Sequence, residues 1–97
     1  MPQVEWRSRA IADIERLYTF LRAKDAAAAQ KMAYALSHGA SLLETSPRIG
    51  RPIADTTNRR ELLIPFGAGA YVIRYIISDG GTVIVIRVWH SREDRAD

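Results

Sequence analysis

The stretch Tyr71-Val-Ile-Arg-Tyr-Ile-Ile-Ser-Asp-Gly-Gly-Thr-Val-Ile-Val-Ile-Arg-Val-Trp89 decides the fold. Residues 71–77 and 82–89 are β-branched and aromatic, and Asp79-Gly80-Gly81 stands between them. Glycine supplies the positive φ that tight hairpin turns need, so the segment predicts two antiparallel strands. A third apolar run at residues 60–65 precedes them, and Gly67-Ala-Gly69 provides the turn. Together the three predict an antiparallel meander.

Upstream the periodicity changes. Ala10, Ile11, Ile14, Leu17, Tyr18 and Leu21 follow the i, i+3, i+4, i+7 spacing of one helix face, with Arg9, Asp13, Arg16 and Arg22 off the stripe. Ser8 offers an N-cap oxygen. Asp25 offers a second, opening an alanine-rich helix whose apolar face is Ala28, Met32, Ala35, Leu36, Gly39, Leu42 and Leu43. Gly39 predicts either a bend or tight packing, since glycine costs a helix interior about 1 kcal/mol relative to alanine. Pro47 ends the helix, and residues 46–58 read as a loop. Before the helices, Val4 and Trp6 alternate with Gln3 and Glu5 as a short strand. The expected fold is one α+β domain over residues 1–97: an N-terminal strand, an antiparallel helical hairpin, then a three-stranded antiparallel meander, β-α-α-β-β-β.

Strict alternation places Tyr71, Ile73, Tyr75 and Ile77 on one face of the sheet and Val72, Arg74 and Ile76 on the other. In the last strand it separates Ile84, Ile86 and Val88 from Val83, Val85 and Trp89. Both faces are apolar, yet one helical hairpin covers only one. The second is either a partner-binding surface or is covered by sheet curvature and the 46–58 loop. Parity sets Arg74 with His90 on this open face and turns Arg87 toward the helices and a carboxylate there.

The chain of 97 residues is 47% apolar and 26% charged, with a net charge of +3 and a pI of 9.7. It has no cysteine, which excludes disulfides and thiolate chemistry and suits a cytoplasmic location. Its apolar runs fall short of the ~20 residues of a membrane span. The basic excess permits nucleic-acid, ribosomal or acidic-protein contact without choosing among them, and no direct sequence-specific nucleic-acid binding is expected. No His or acidic cluster has metal-ligand spacing, no phosphate loop is present, and neither metal nor cofactor is expected. His90, within Arg87-Val-Trp-His-Ser-Arg92, is the residue best placed for acid–base work on a phosphodiester, or else a partner contact at a strand end. His38 reads as a solvated helix position.

The order of elements resembles the RelE/ParE toxin superfamily. So do Pro47-Arg-Ile-Gly-Arg-Pro52, Arg60-Glu-Leu62, Tyr71-Val-Ile-Arg-Tyr75 and Val85-Ile-Arg-Val-Trp-His-Ser-Arg92. The resemblance runs over nearly the whole chain. It implies a type II toxin neutralised by a cognate ParD-like antitoxin, which would lay a helix on the helical hairpin and an extended segment along the sheet. RelE-like members cleave mRNA on the ribosome; ParE-like members poison DNA gyrase. Where the ribonucleases carry a key arginine this chain has Val72, and where they often carry tyrosine it has Ser91. The Gly50-Arg-Pro52 loop is also more typical of the ParE side.

The resemblance therefore implies a non-enzymatic gyrase inhibitor. Its target contacts are expected at Arg74, His90, Arg92 and Arg95, and its antitoxin contacts at Leu17, Leu21, Val72, Arg74 and Ile76. The alternatives are a RelE-type ribonuclease using Arg74 and His90, and a non-toxic antitoxin-binding module.

Overall fold

The computed structural model describes residues 3–93. Strand β1 (Val4–Trp6) leads into helix α1 (Ser8–Lys24) and helix α2 (Ala26–Thr45). A two-residue strand β2 (Arg51–Pro52) follows, then β3 (Arg60–Phe66), β4 (Gly69–Ile77) and β5 (Val83–His90). The sheet order is β1-β5-β4-β3-β2, with β1 parallel to β5 and every other pairing antiparallel. This is the α+β architecture expected, extended by β2, which the sequence hides inside a loop rich in turn formers.

The helix boundaries follow from local chemistry. Asp25 caps α2 by accepting the N–H groups of Ala27 at 3.0 Å and Ala28 at 3.2 Å. As the sole residue between the helices, it folds them into a tight hairpin. Ser8, by contrast, is not an N-cap. Arg7 holds that position, extended at φ −65° and ψ 155°, and its N–H still donates to the Val85 carbonyl at 2.9 Å. Arg7 is both the last residue bonded to the sheet and the N-cap, so the helix begins at Ser8, one residue earlier than a serine cap would set it.

Both helices pack on one face of the sheet. Leu17, Met32, Leu36 and Leu43 meet Ile64, Ile73, Tyr75, Val83, Val85 and Val88 in a continuous core. Gly39 belongs to an unbroken helix and serves close approach. A Cβ there would lie 2.9 Å from Ile64 Cδ1 and 3.1 Å from Ile73 Cδ1. The α1 stripe is rotated from the expected one. Ile11 is 48% exposed, while Asp13 is 6% exposed and lies against β5.

The largest departure is a β-bulge. Tyr71 pairs with His90, Ile73 with Val88 and Arg74 with Arg87, but Tyr75 pairs with Val85, leaving Ile86 as an extra residue. An extra residue reverses the alternation on either side of it. Val83, Val85, Val88 and His90 therefore share the helix-covered face with Tyr71, Ile73, Tyr75 and Ile77. Trp89 and Ile84 share the open face with Val72 and Ile76. The parity-based grouping of Ile86 with Val88, of Val85 with Trp89, and of His90 with Arg74 is thereby corrected. So is the separation of Arg74 from Arg87: the two are cross-strand partners on one face, and Arg87 reaches a carboxylate of α1 from there.

The start of the 46–58 loop is tied to the helix side of the sheet. The Tyr75 hydroxyl donates to the Pro47 carbonyl at 2.7 Å and accepts the Gly50 N–H at 2.9 Å. Arg60 Nη1 donates to the carbonyls of Arg48 at 3.1 Å and Gly50 at 2.7 Å. The loop's first turn is thus part of the covered side, and Ile76, Ile84 and Ile86 remain half-buried on the other.

Candidate functional site

Two surfaces bring the chemistry-bearing residues together. The first is the open sheet face. Arg74 and Glu61 are cross-strand partners, and Arg74 donates through Nη2 at 2.7 Å and Nε at 3.1 Å to one carboxylate oxygen of Glu61. Its guanidinium also lies over the Trp89 ring, 4.8 Å from the centroid, a contact that arginine favours through the ring quadrupole. Val72 and Trp89 are nearly closed off, at 6% and 8% exposure, whereas Leu63 is 44% exposed. The face is therefore an apolar surface crossed by the Arg74–Glu61 pair.

Along its β5 side runs a cleft of about 440 Å³, lined by Arg7, Ser8, Arg9, Arg59, Arg74, Ile86 and Arg87. Arg87 donates through Nε to Asp13 Oδ2 at 2.8 Å and through Nη2 to Oδ1 at 3.2 Å. This is the helix-borne carboxylate the sequence called for. The same carboxylate accepts the Val88 N–H at 2.9 Å. Asp13 thus takes the place of a neighbouring strand where β1 has ended. Burial would raise its pKa, but the Arg87 and Val88 hydrogen bonds and the charges of Arg87 and Arg16 outweigh it and hold the carboxyl below its usual value. Arg16 in turn pairs with Glu93 at 2.9 Å.

The second surface is an apolar groove of about 400 Å³ at the far end of α1, where Leu17, Phe20, Leu21, Phe66, Tyr71 and His90 converge. Phe20 is 63% exposed at its edge, with Lys24 Nζ 5.0 Å from its ring centroid. His90 stacks edge-on against Tyr71 with centroids 4.9 Å apart. Its Nε2 lies 3.2 Å from the Phe66 carbonyl, and its Nδ1 accepts the Arg92 N–H at 3.2 Å. Those partners engage both ring nitrogens. Burial, then the nearby Glu93 charge, raises the Tyr71 pKa, so its hydroxyl stays protonated.

The expected site residues therefore divide. Leu17, Leu21 and His90 line the groove, and Arg92 stands at its rim. Val72, Arg74 and Ile76 lie on the open face, on the other side of the sheet from His90. Arg95 lies outside the described residues. Sequence reasoning missed Phe20, although an aromatic off the apolar stripe of α1 was a readable signal. It also missed Arg7, Arg9 and Arg59, which the β1–β5 and β3–β4 pairings together gather into one cleft. Among the described residues no group of His and acidic side chains could hold a metal, and no helix is long and apolar enough to cross a membrane.

Comparison with known proteins adds four findings. A family model described as the ParE toxin of the type II toxin-antitoxin system parDE matches residues 4–95. The chain is 41% identical over 87 residues to Toxin RelE1 of Caulobacter vibrioides, covering 90% of each chain. It is 36% identical over 91 residues to Toxin RelE2 of the same organism, covering 94% of this chain and 97% of the other. Among solved structures, the chromosomal ParDE TA system from P. aeruginosa superposes with a TM-score of 0.72. That match has 15% identity and covers 93% of this chain and 96% of that one; it is a likeness of fold.

Proposed function

The chain belongs to the ParE toxin family of type II toxin–antitoxin systems, and from that premise we propose that it arrests growth by binding DNA gyrase, with no catalysis of its own. The observation that carries this reading is the separation of Arg74 from His90. A ribonuclease needs a phosphate clamp and a proton-transfer group converging on one phosphodiester. Here Arg74 is held by Glu61 and Trp89 on one face, and His90 is held by Phe66 and Arg92 on the other side of the sheet. Any DNA breaks would then come from gyrase chemistry.

Purified gyrase, relaxed plasmid and the antitoxin-free protein provide the test. Supercoiling is expected to fail, and linear DNA to appear after protease treatment. His90→Ala, which removes one expected target contact and no catalytic group, is expected to retain the inhibition at reduced potency. The relatives carrying RelE names keep the ribonuclease as the second reading. Unaffected gyrase, together with mRNA cleavage in a translation extract that His90→Ala abolishes, would establish that reading instead.

The same reading includes a ParD-like antitoxin, with a helix seated on the groove around Leu17, Phe20 and Leu21 and an extended segment crossing Val72, Arg74 and Ile76. Phe20 is the anchor expected to matter most, because an exposed aromatic beside an apolar groove is the usual form of an interface hot spot. Phe20→Ala should weaken antitoxin binding by about tenfold or more with an unchanged melting temperature. Titration calorimetry on the purified pair measures the affinity, and equal affinities would remove Phe20 from the interface.

A further inference from the structure

We propose that the arginine cleft between α1 and β5 binds the phosphodiester backbone of duplex DNA, independently of base sequence. The cleft is inferred from its own lining and stands whether or not gyrase is the target.

Five guanidiniums and no carboxylate line the cavity. Three of them are already balanced: Arg74 by Glu61, Arg87 by Asp13, and Arg59 by Asp55 at 3.8 Å. Arg7 and Arg9 are exposed, and their side chains have no hydrogen-bond or ion-pair partner among the described residues. A net surplus of two positive charges is therefore confined to one concavity, beside a third, loosely held arginine. The first turn of α1, which opens there, has neither a side-chain cap nor an acidic residue, so its N–H donors add to the same field.

The chemistry of the lining selects the ligand. Arginine side chains only donate hydrogen bonds, and Ser8 is the one hydroxyl among them. An extended peptide brings N–H groups that would find few acceptors here, whereas each phosphodiester offers acceptor oxygens alone. Single strands are held mainly by bases stacking on open aromatic faces. The aromatic on this side, Trp89, is 8% exposed and covered by Arg74. With no open aromatic platform for bases among the described residues, the cleft fits the regularly spaced phosphates of a duplex.

Phosphate binding releases counterions, so affinity falls with salt at a slope of about −0.9 per contact. With Arg7, Arg9 and Arg59 each meeting a phosphate, affinity for a duplex should fall about 40-fold between 50 and 200 mM salt. Arg7→Gln/Arg9→Gln removes two contacts and should leave a fall of only about three- to fourfold. These side chains support no packing, so the variant is expected to fold. Fluorescence anisotropy of the full chain with a labelled mixed-sequence duplex measures both slopes. Arg22→Gln/Lys24→Gln, with the same charge change at the other end of α1, should keep the wild-type slope.

Three results would overturn the proposal. One is absence of saturable duplex binding at 50 mM salt, and another is an equal loss of slope in the Arg22→Gln/Lys24→Gln control. The third is binding of a poly-glutamate peptide that depends on Arg7 and Arg9 while the duplex does not bind, which would assign the cleft to an acidic protein segment. Because gyrase is absent from the assay, failure here leaves the supercoiling result standing, and the reverse holds equally.

Discussion

Asp13→Ala is expected to lower the unfolding free energy by about 3 kcal/mol, and the melting temperature of a domain this size by about 12 °C or more. The carboxylate is 6% exposed and answers three donors: Arg87 Nε, Arg87 Nη2 and the Val88 N–H. Alanine deprives Arg87 of this counter-charge and takes the acceptor from a backbone N–H at a fully buried residue. Losing an acceptor at such a site costs the donor's full desolvation. Asp13→Asn should cost less, since its amide oxygen can still receive the Val88 N–H.

The pH dependence has a definite sign. The folded pKa of Asp13 lies below its usual value, so its stabilisation is present above the unfolded pKa of about 3.9 and is lost as pH falls through the folded one. The stability gap between wild type and Asp13→Asn should be level above about pH 5 and close as the pH drops below about 4. Urea titrations at several pH values measure it, and a gap that persists at low pH would show that charge is not what Asp13 contributes.

Gly50→Ala should cost about 3 kcal/mol for a different reason. The added Cβ would sit 2.6 Å from the Tyr75 hydroxyl oxygen, 2.8 Å from its Cε1 and 2.9 Å from the Glu61 carbonyl oxygen. A carbonyl in the sheet cannot swing away as a side-chain end can, so the loop must move. In moving it gives up the Gly50 to Tyr75 bond and strains the Arg60 bond to the Gly50 carbonyl. Tyr75→Phe alone should cost about 1–2 kcal/mol for the lost hydrogen bonds. Combined, the two changes should cost less than their sum, because removing the hydroxyl relieves the shortest clash. Strict additivity in urea denaturation would mean that Gly50 and Tyr75 do not meet as described. The Pro47-Arg-Ile-Gly-Arg-Pro52 motif thus has a physical reason for its glycine: the backbone must pass against a buried tyrosine.

Much of this fold was legible before any coordinates. The Asp25 cap and the Asp79-Gly80-Gly81 turn each rest on chemistry within a few residues, and each stands in the structure, while the stripe on α1 stands only with a rotation that exposes Ile11. Gly81, with φ of 88°, occupies the left-handed region that the turn required. The misreadings have one cause: they depend on residues distant in the chain. Ile86 could not be seen as a bulge because Val83 through Val88 is apolar at nearly every position, leaving no alternation to break. Asp13 reads only as a residue off the apolar stripe because its partner is 74 residues away. The candidate site suffered for the same reason. One extra residue in β5 moved His90 to the other side of the sheet from Arg74, and β1, by pairing with β5, brought Arg7 and Arg9 beside Arg74.

The strand order β1-β5-β4-β3-β2 also governs when the molecule can come into being. The last strand synthesised lies second in the sheet, between the first strand and the hairpin made just before it. Until residues 83–90 have left the ribosome, β1 has no neighbour and α1 has no floor for Leu17. The nascent chain can form helices and the β3–β4 hairpin, but not the part of the sheet at which the groove and the arginine cleft are assembled. Closure across nearly the full chain makes this a slow, non-local step. Translation stopped anywhere before β5 therefore yields a chain without either surface, and both arrive together with that strand.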